Sequence, residues 1–190
     1  MTKNQKIMVF VGGGIALLCL VSCAVVLLFF RGVGSAITNS VFKSPEEVQA
    51  AAQEIARVDM PAGYSPSEGM QILGITMAIF KSSNSDVFIM MMEMPKSTNL
   101  NQTDIDQMQQ AFDRQYSGRG YQMQVVDVKD ITIRGKPGKV IISEGTANGS
   151  ETRQVTVFFM GNHGLAALFI TGPKNQWNTK AYDRMILSIR

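Results

Sequence analysis

Cysteine is almost missing from this chain, and its placement removes it from the chemistry of the body. Only two of the 190 residues are cysteines. Cys19 and Cys23 both fall inside one apolar run, so neither a disulfide framework nor a paired-cysteine zinc motif is available to the rest. Histidine is scarcer still: His163 is the only one, flanked by Asn162 and Gly164 in a predicted turn. Nucleophilic catalysis needs a nucleophile, an adjacent base and an orienting group, and these residues do not supply that set. An excess of one charge is lacking too. The 18 Lys and Arg face 15 Asp and Glu, and from Arg31 onward the balance is 16 to 15. Nucleic-acid binding is therefore not expected, because neutralising phosphates needs clustered cations. No P-loop or dinucleotide fingerprint occurs, and Gly12, Gly13 and Gly14 lie within the apolar run, where they cannot cradle phosphate. No cofactor is expected.

What is present begins with that run. Residues 7–30 carry no charge and as a helix would extend roughly 36 Å, enough for a hydrocarbon core of about 30 Å. Leu20-Val21-Ser22-Cys23 has the spelling of a lipoprotein cleavage box, which makes lipidation of Cys23 the alternative. The apolar residues continue to Phe30, however, where a secretory signal would turn polar soon after its cleavage site. The expectation is an uncleaved single-pass helix with the bilayer as partner. The division is a tail at 1–6, a transmembrane helix at 7–30, a linker at 31–43 and an α+β domain at 44–190. Lys3 and Lys6 precede the span, so the N-terminus is expected in the cytoplasm and the domain outside it.

In the body, Ser44-Pro45-Glu46-Glu47 is a capping box with proline at the first helical position. Val48, Ala51, Ala52 and Ile55 then form one apolar stripe. Met60-Pro61-Ala62-Gly63-Tyr64 ends that helix. Residues 70–80 and 87–94 alternate as a hairpin, and Thr103-Asp104-Ile105-Asp106 opens a second helix reaching to about Tyr116. Strands follow at 121–133, 138–147, 150–160 and 164–171, joined by residues 134–139, by Asn148-Gly149 and by Asn162-His163. A two-residue turn at Asn148-Gly149 sets Glu144 opposite Arg153, Ile142 opposite Val155 and Val140 opposite Val157. One at Asn162-His163 sets Val157 opposite Leu168 and Phe158 opposite Ala167. Both faces are apolar there, so the sheet is expected to be covered on both sides. A last helix from 178 to 189 would bury Tyr182, Met185, Ile186 and Ile189. The expectation is an antiparallel sheet of about six strands with helices on its faces.

That order of elements, with the ending Ile186-Leu187-Ser188-Ile189, resembles the PsbP-like fold over residues 59–190. The stretch IARVDMPAGY (55–64) followed by a methionine-rich hairpin is also similar to small membrane-anchored bacterial proteins of unknown function. The PsbP-like resemblance implies a binding or assembly role with a protein partner and no enzymatic site; no ligand motif carries over.

Three constellations stand out. Met90, Met92 and Met94 share one side of a strand with Phe88, and thioethers suit Cu(I). The same alternation describes a core strand filled with adaptable side chains, and packing is preferred because a metal site needs donors from more than one element. Glu144 and Arg153 form a cross-strand pair, read either as register and solubility or as a charged patch at a pocket mouth. Arg134, Lys136 and Lys139 gather at a hairpin tip that is either solvated or in touch with anionic headgroups. Asp104 and Asp106 complement a helix dipole, and the triplets at Asn101 and Asn148 coincide with a cap and a turn. The leading function is a membrane-anchored binding or scaffolding domain. The alternatives are a hydrolase whose site is assembled from Asp, Glu, Ser and Tyr, and a methionine-based copper protein. An alkaline phosphatase fused after Arg190 should be active in cells; an inactive fusion would overturn the orientation.

Overall fold

The computed structural model describes residues 41–42, 44–94, 121–147 and 149–190. The expected membrane helix, Cys23, the helix opening at Thr103 with Asp104 and Asp106, and the triplet asparagines Asn101 and Asn148 lie outside the described residues. Among the described residues no helix is long and apolar enough to cross a membrane.

Capping chemistry starts helix α1, Pro45–Ile55, where the sequence places it. Ser44 Oγ accepts from the Glu47 amide at 3.2 Å, and the Glu47 carboxylate accepts from the Ser44 amide at 3.4 Å. The box satisfies two donors that the first helical turn cannot. Val48, Ala51, Ala52 and Ile55 are the buried stripe. The last helix, α2, spans Thr179–Leu187, with Asn178 accepting from the Ala181 amide at 3.2 Å, and buries Tyr182, Met185 and Ile186.

The sheet is antiparallel and has eight strands, not about six: β1 (Val41–Phe42), β2 (Tyr64–Ile72), β3 (Ile75–Ser82), β4 (Phe88–Glu93), β5 (Tyr121–Ile133), β6 (Lys136–Ala147), β7 (Ser150–Met160) and β8 (Leu165–Pro173). Two strands escaped the sequence reading for different reasons. Residues 70–80 were expected as one strand, but the chain reverses at Leu73-Gly74, with φ of 51° and 81°, and these angles make a two-residue primed turn. Leucine in the left-handed region is rare, so the pattern gave no sign of it. Leu73 is 91% exposed. β1, only two residues long, takes Val41 and Phe42 from the expected linker and pairs them with Met70 and Gly69. Between β5 and β6 the turn is likewise only Arg134-Gly135, and Lys136 and Pro137 already belong to β6. Pro137 fits because pairing of β6 with β7 starts at Lys139, beyond it.

The expected registers hold. Glu144 pairs with Arg153, Ile142 with Val155, Val140 with Val157, Val157 with Leu168 and Phe158 with Ala167. Strand order is β1-β2-β3-β4-β8-β7-β6-β5, so among the described residues the ladder of β4 with β8 joins the half-sheet β1–β4 to the half-sheet β5–β8. The side facing α1 and α2 holds the main core, including Phe80, Ile89, Met91, Val157, Phe159, Leu168 and Ile170. On the other side Ile141, Phe158, Ala167 and Phe169 form a second apolar cluster.

Where β4 meets β8, one buried carboxylate ties the fold. Glu93 is 4% exposed. Its Oε1 accepts from the His163 amide at 2.8 Å and the Gly164 amide at 3.0 Å, and its Oε2 lies 3.2 Å from His163 Nδ1. The carboxylate thus fills the concave side of the β7–β8 turn. From the same turn Asn162 reaches the end of α1: its amide donates to Ile55 O at 3.0 Å, and its Nδ2 to Glu54 O at 2.8 Å and Gln53 O at 3.3 Å. α1 has no basic residue in its last turn, so Asn162 satisfies carbonyls that the helix leaves open. Arg134 donates to Asn162 Oδ1 at 2.8 Å, so one of the three cations at that hairpin tip is bound to a neighbouring turn. Gly161 makes room for the carboxylate, since a Cβ there would collide with Glu93 Oε1. Gly161→Ala should lower stability by about 2–3 kcal/mol through overpacking and loss of charged hydrogen bonds. A urea midpoint equal to that of the unsubstituted protein would contradict this arrangement.

Candidate functional site

A cleft of about 680 Å³ opens between residues 59–64, the turn at 82–85 and the side of α2. Three chain segments meet there because β2 starts beside α2. The proline at 61 and Gly63, at φ 87°, turn the chain into β2 at that point. Tyr64 and Tyr182 come from opposite ends of the domain, and their hydroxyls lie 2.9 Å apart. Tyr182 is 4% exposed, and burial, then the bond to Tyr64, pushes its phenol well above the usual tyrosine range. It stays neutral and serves as a hydrogen-bonding, aromatic part of the wall.

Behind Tyr182 an aromatic and cationic chain leads to the sheet. The Trp177 ring meets Tyr182 edge-on at 4.8 Å between centroids, and the Arg153 guanidinium stands 5.5 Å from the Trp177 ring centroid. Glu144 receives Arg153 at 3.2 Å and Lys174 at 2.5 Å. The cross-strand pair expected from the sequence is therefore part of a three-charge cluster. It holds the segment after β8 against the sheet and so fixes Trp177 behind the cleft. Asp86 and Gln176 add a second tie, with the Asp86 amide donating to Gln176 Oε1 at 2.7 Å and Gln176 Nε2 to Asp86 Oδ2 at 3.2 Å.

Beside Asp59 and Ser188 of the cleft wall, the last residues are tied back to the segment after α1. Arg57 and Arg190 exchange backbone hydrogen bonds of 2.8 and 3.0 Å. The Arg190 guanidinium grips Asp59 through both nitrogens at 2.9 and 3.0 Å, and Ser188 Oγ accepts from the Asp59 amide at 2.9 Å. The Arg190 contact holds the Asp59 carboxyl below its usual range and raises the guanidinium.

Carboxylate chemistry is poorly placed for acid–base work. Asp59, Glu68, Asp127 and Glu144 all have lowered pKa values, and in each the first cause is a hydrogen bond from a cation: Arg190, Lys81, Lys129 and Lys174 respectively. Glu93 does not line the cleft. Among the described residues no group of three or more His, Cys, Asp and Glu could hold a metal.

The methionine strand divides between the two faces. Met91 is fully buried in the helix-side core, whereas Met90 and Met92 pack half-buried against the opposite cluster. Met94 lies just beyond β4, its amide donating to Leu165 O at 2.9 Å. A small cavity of about 130 Å³ opens beside Met90, lined also by Phe88, Met123 and Phe169.

The sequence reading missed the cleft and the role of Glu93. A charged residue at an inward position of an apolar strand was the available signal for Glu93. The cleft had none, because its walls are more than 100 residues apart in the chain, as the separation of 118 between Tyr64 and Tyr182 illustrates. The charge cluster has a pH consequence. A carboxylate whose folded pKa is depressed contributes stability that is present above its unfolded value, about 4, and lost as pH falls through the folded value. Lys174→Met should move the Glu144 midpoint upward, read from its side-chain carboxyl carbon by NMR; an unmoved midpoint would show that Lys174 does not set it.

No family model matches the chain, and no curated protein matches it. Among solved structures it is similar to the solution structure of cyanobacterial PsbP from Synechocystis sp. PCC 6803. The identity is 9%, the match covers 72% of this chain and 92% of that one, and the TM-score is 0.46. A similarity of this size transfers no function.

Proposed function

We propose that this protein is an N-terminally membrane-anchored binding or scaffolding module whose cleft receives a short extended segment of a partner protein. The observation that carries the reading is the character of the cleft wall. Hydroxyls and amides from Tyr64, Tyr182, Asn84 and Ser85 surround an open, partly apolar space that includes Met60 and Pro61. Such groups match the backbone donors and acceptors of an extended peptide, and neutral tyrosines give it an aromatic surface. Asp59 is taken up by Arg190, so no free carboxylate there is poised as an acid or base.

The hydrolase alternative requires paired, buried carboxylates with shifted pKa values in a cleft. The lowered carboxylates are exposed, as Asp59 is, or half-buried, as Glu144 is, and each is paired with a cation instead. The buried one, Glu93, is held by backbone amides at the far side of α1. Anchoring by residues 7–30 with the domain outside the cytoplasm completes the proposal and is supported by the length of that run and the flanking lysines.

A photo-crosslinking side chain at Asn84 in the full-length chain, expressed in its own cells, should give one discrete adduct. The same group at Lys129 should give none, and Ala181→Trp, which fills the cleft, should abolish the Asn84 adduct. No adduct from Asn84, or one indifferent to Ala181→Trp, would overturn the docking role of the cleft.

A further inference from the structure

The two edges of the sheet are built differently. At one, β1 is only two residues long, and β2 next to it carries Pro66 and a register shift between Pro66 and Glu68. Such features blunt an edge against further pairing. At the other, β5 runs for 13 residues without proline or glycine, and among the described residues it pairs with β6 alone. Its outer backbone donors and acceptors are an open template for another strand. Two valines stand beside them: the ladder with β6 skips Val126, and Val126 and Val128 are 56% and 44% exposed.

The charges on β5 select what fits that template. Asp127 and Lys129 stand opposite Ile142 and Val140 of β6, on the face that carries the helices, and bridge each other at 2.8 Å. Val128 lies on the other face, opposite Ile141 of the second cluster. When two copies of one strand run antiparallel about a twofold axis normal to the sheet, every residue keeps its face, and the register is defined by the residue on the axis. With Asp127, Lys129 or Asp130 on the axis, that charge meets its own copy, which destabilises the pair. With Val128 there, each Asp127 stands opposite the second copy's Lys129, and the two bridges merge into one alternating square while valine meets valine. Of the axes through residues 127–130, only that at Val128 is complementary. The blunted opposite edge makes such an association stop at two chains. We propose that a second copy of this chain adds to β5 about an axis at Val128, joining the two sheets into one continuous sheet.

The test uses the full-length chain with Cys19→Ser and Cys23→Ser, oxidised in the membranes of the cells that express it. Directly opposite residues of an antiparallel pair have Cα atoms about 5 Å apart, and disulfides form only below about 7 Å. Val128→Cys should therefore give a disulfide-linked dimer. Thr132→Cys, about eight residues and so about 26 Å along the ladder from its copy, should not. Association through residues 7–30 alone would favour neither position. In the Val128→Cys chain, Lys129→Asp should cut the linked fraction about fivefold, because like charges then face each other across the axis, and Asp127→Lys added to it should restore the fraction to within about twofold. Circular dichroism checks that each variant is folded. In the unsubstituted chain, the amides of β5 that point away from β6 should resist hydrogen exchange although no described strand of the same chain covers them. No linked dimer from Val128→Cys, equal linkage from Thr132→Cys, indifference to Lys129→Asp or no restoration by the second reversal would overturn the proposal. So would exchange of those amides at the rate of an open edge, or a linked product that contains a different protein in place of the second copy.

Discussion

A buried carboxylate must be neutralised or fully hydrogen-bonded, and in Glu93 that requirement is met by two backbone amides and the His163 ring of a single turn. Leaving an ion of this kind without partners inside a fold costs several kcal/mol. Glu93 escapes that penalty only if the turn at 161–164 presents the His163 and Gly164 amides to it. Geometry then propagates outward. The turn carries Asn162 into the open end of α1 and accepts Arg134 from the β5–β6 turn. One local constraint therefore joins four elements at the point where two half-sheets share a ladder.

The halves meet again at the cleft through different chemistry. Packing of Tyr182 beneath Trp177 and beside Tyr64 couples α2 to the start of β2. Glu144, Arg153 and Lys174 hold the segment between β8 and α2 from the sheet side. These charges are partly exposed, and surface pairs contribute little individually. Their effect lies in positioning, because they fix where the aromatic wall stands. The cleft is thereby defined by the C-terminal helix and the segment before it.

Much of the local structure was legible because its signals are local. Ser44 and Glu47 announce a helix start through reciprocal side-chain bonds, and the apolar stripe from Val48 to Ile55 has only one helical solution. Ala147 pairs with Ser150 and Met160 with Leu165, the registers that the turn signals in the sequence require. Leu73-Gly74 performs the same reversal with a residue that sterics disfavour at positive φ, so the strand count was short. What depended on distant pairing stayed hidden. The cleft exists only once residues near 60 and near 182 are brought together.

Hydrogen exchange at two amides tests the central claim most directly. If the Glu93 carboxylate organises the junction, the His163 and Gly164 amides should open only with global unfolding, despite lying in a short surface turn. Their protection should match that of the paired amides in the middle of β8. Exchange of both at rates typical of an exposed hairpin loop, with β8 still protected, would show that the turn is held by its strands and that Glu93 organises nothing beyond itself.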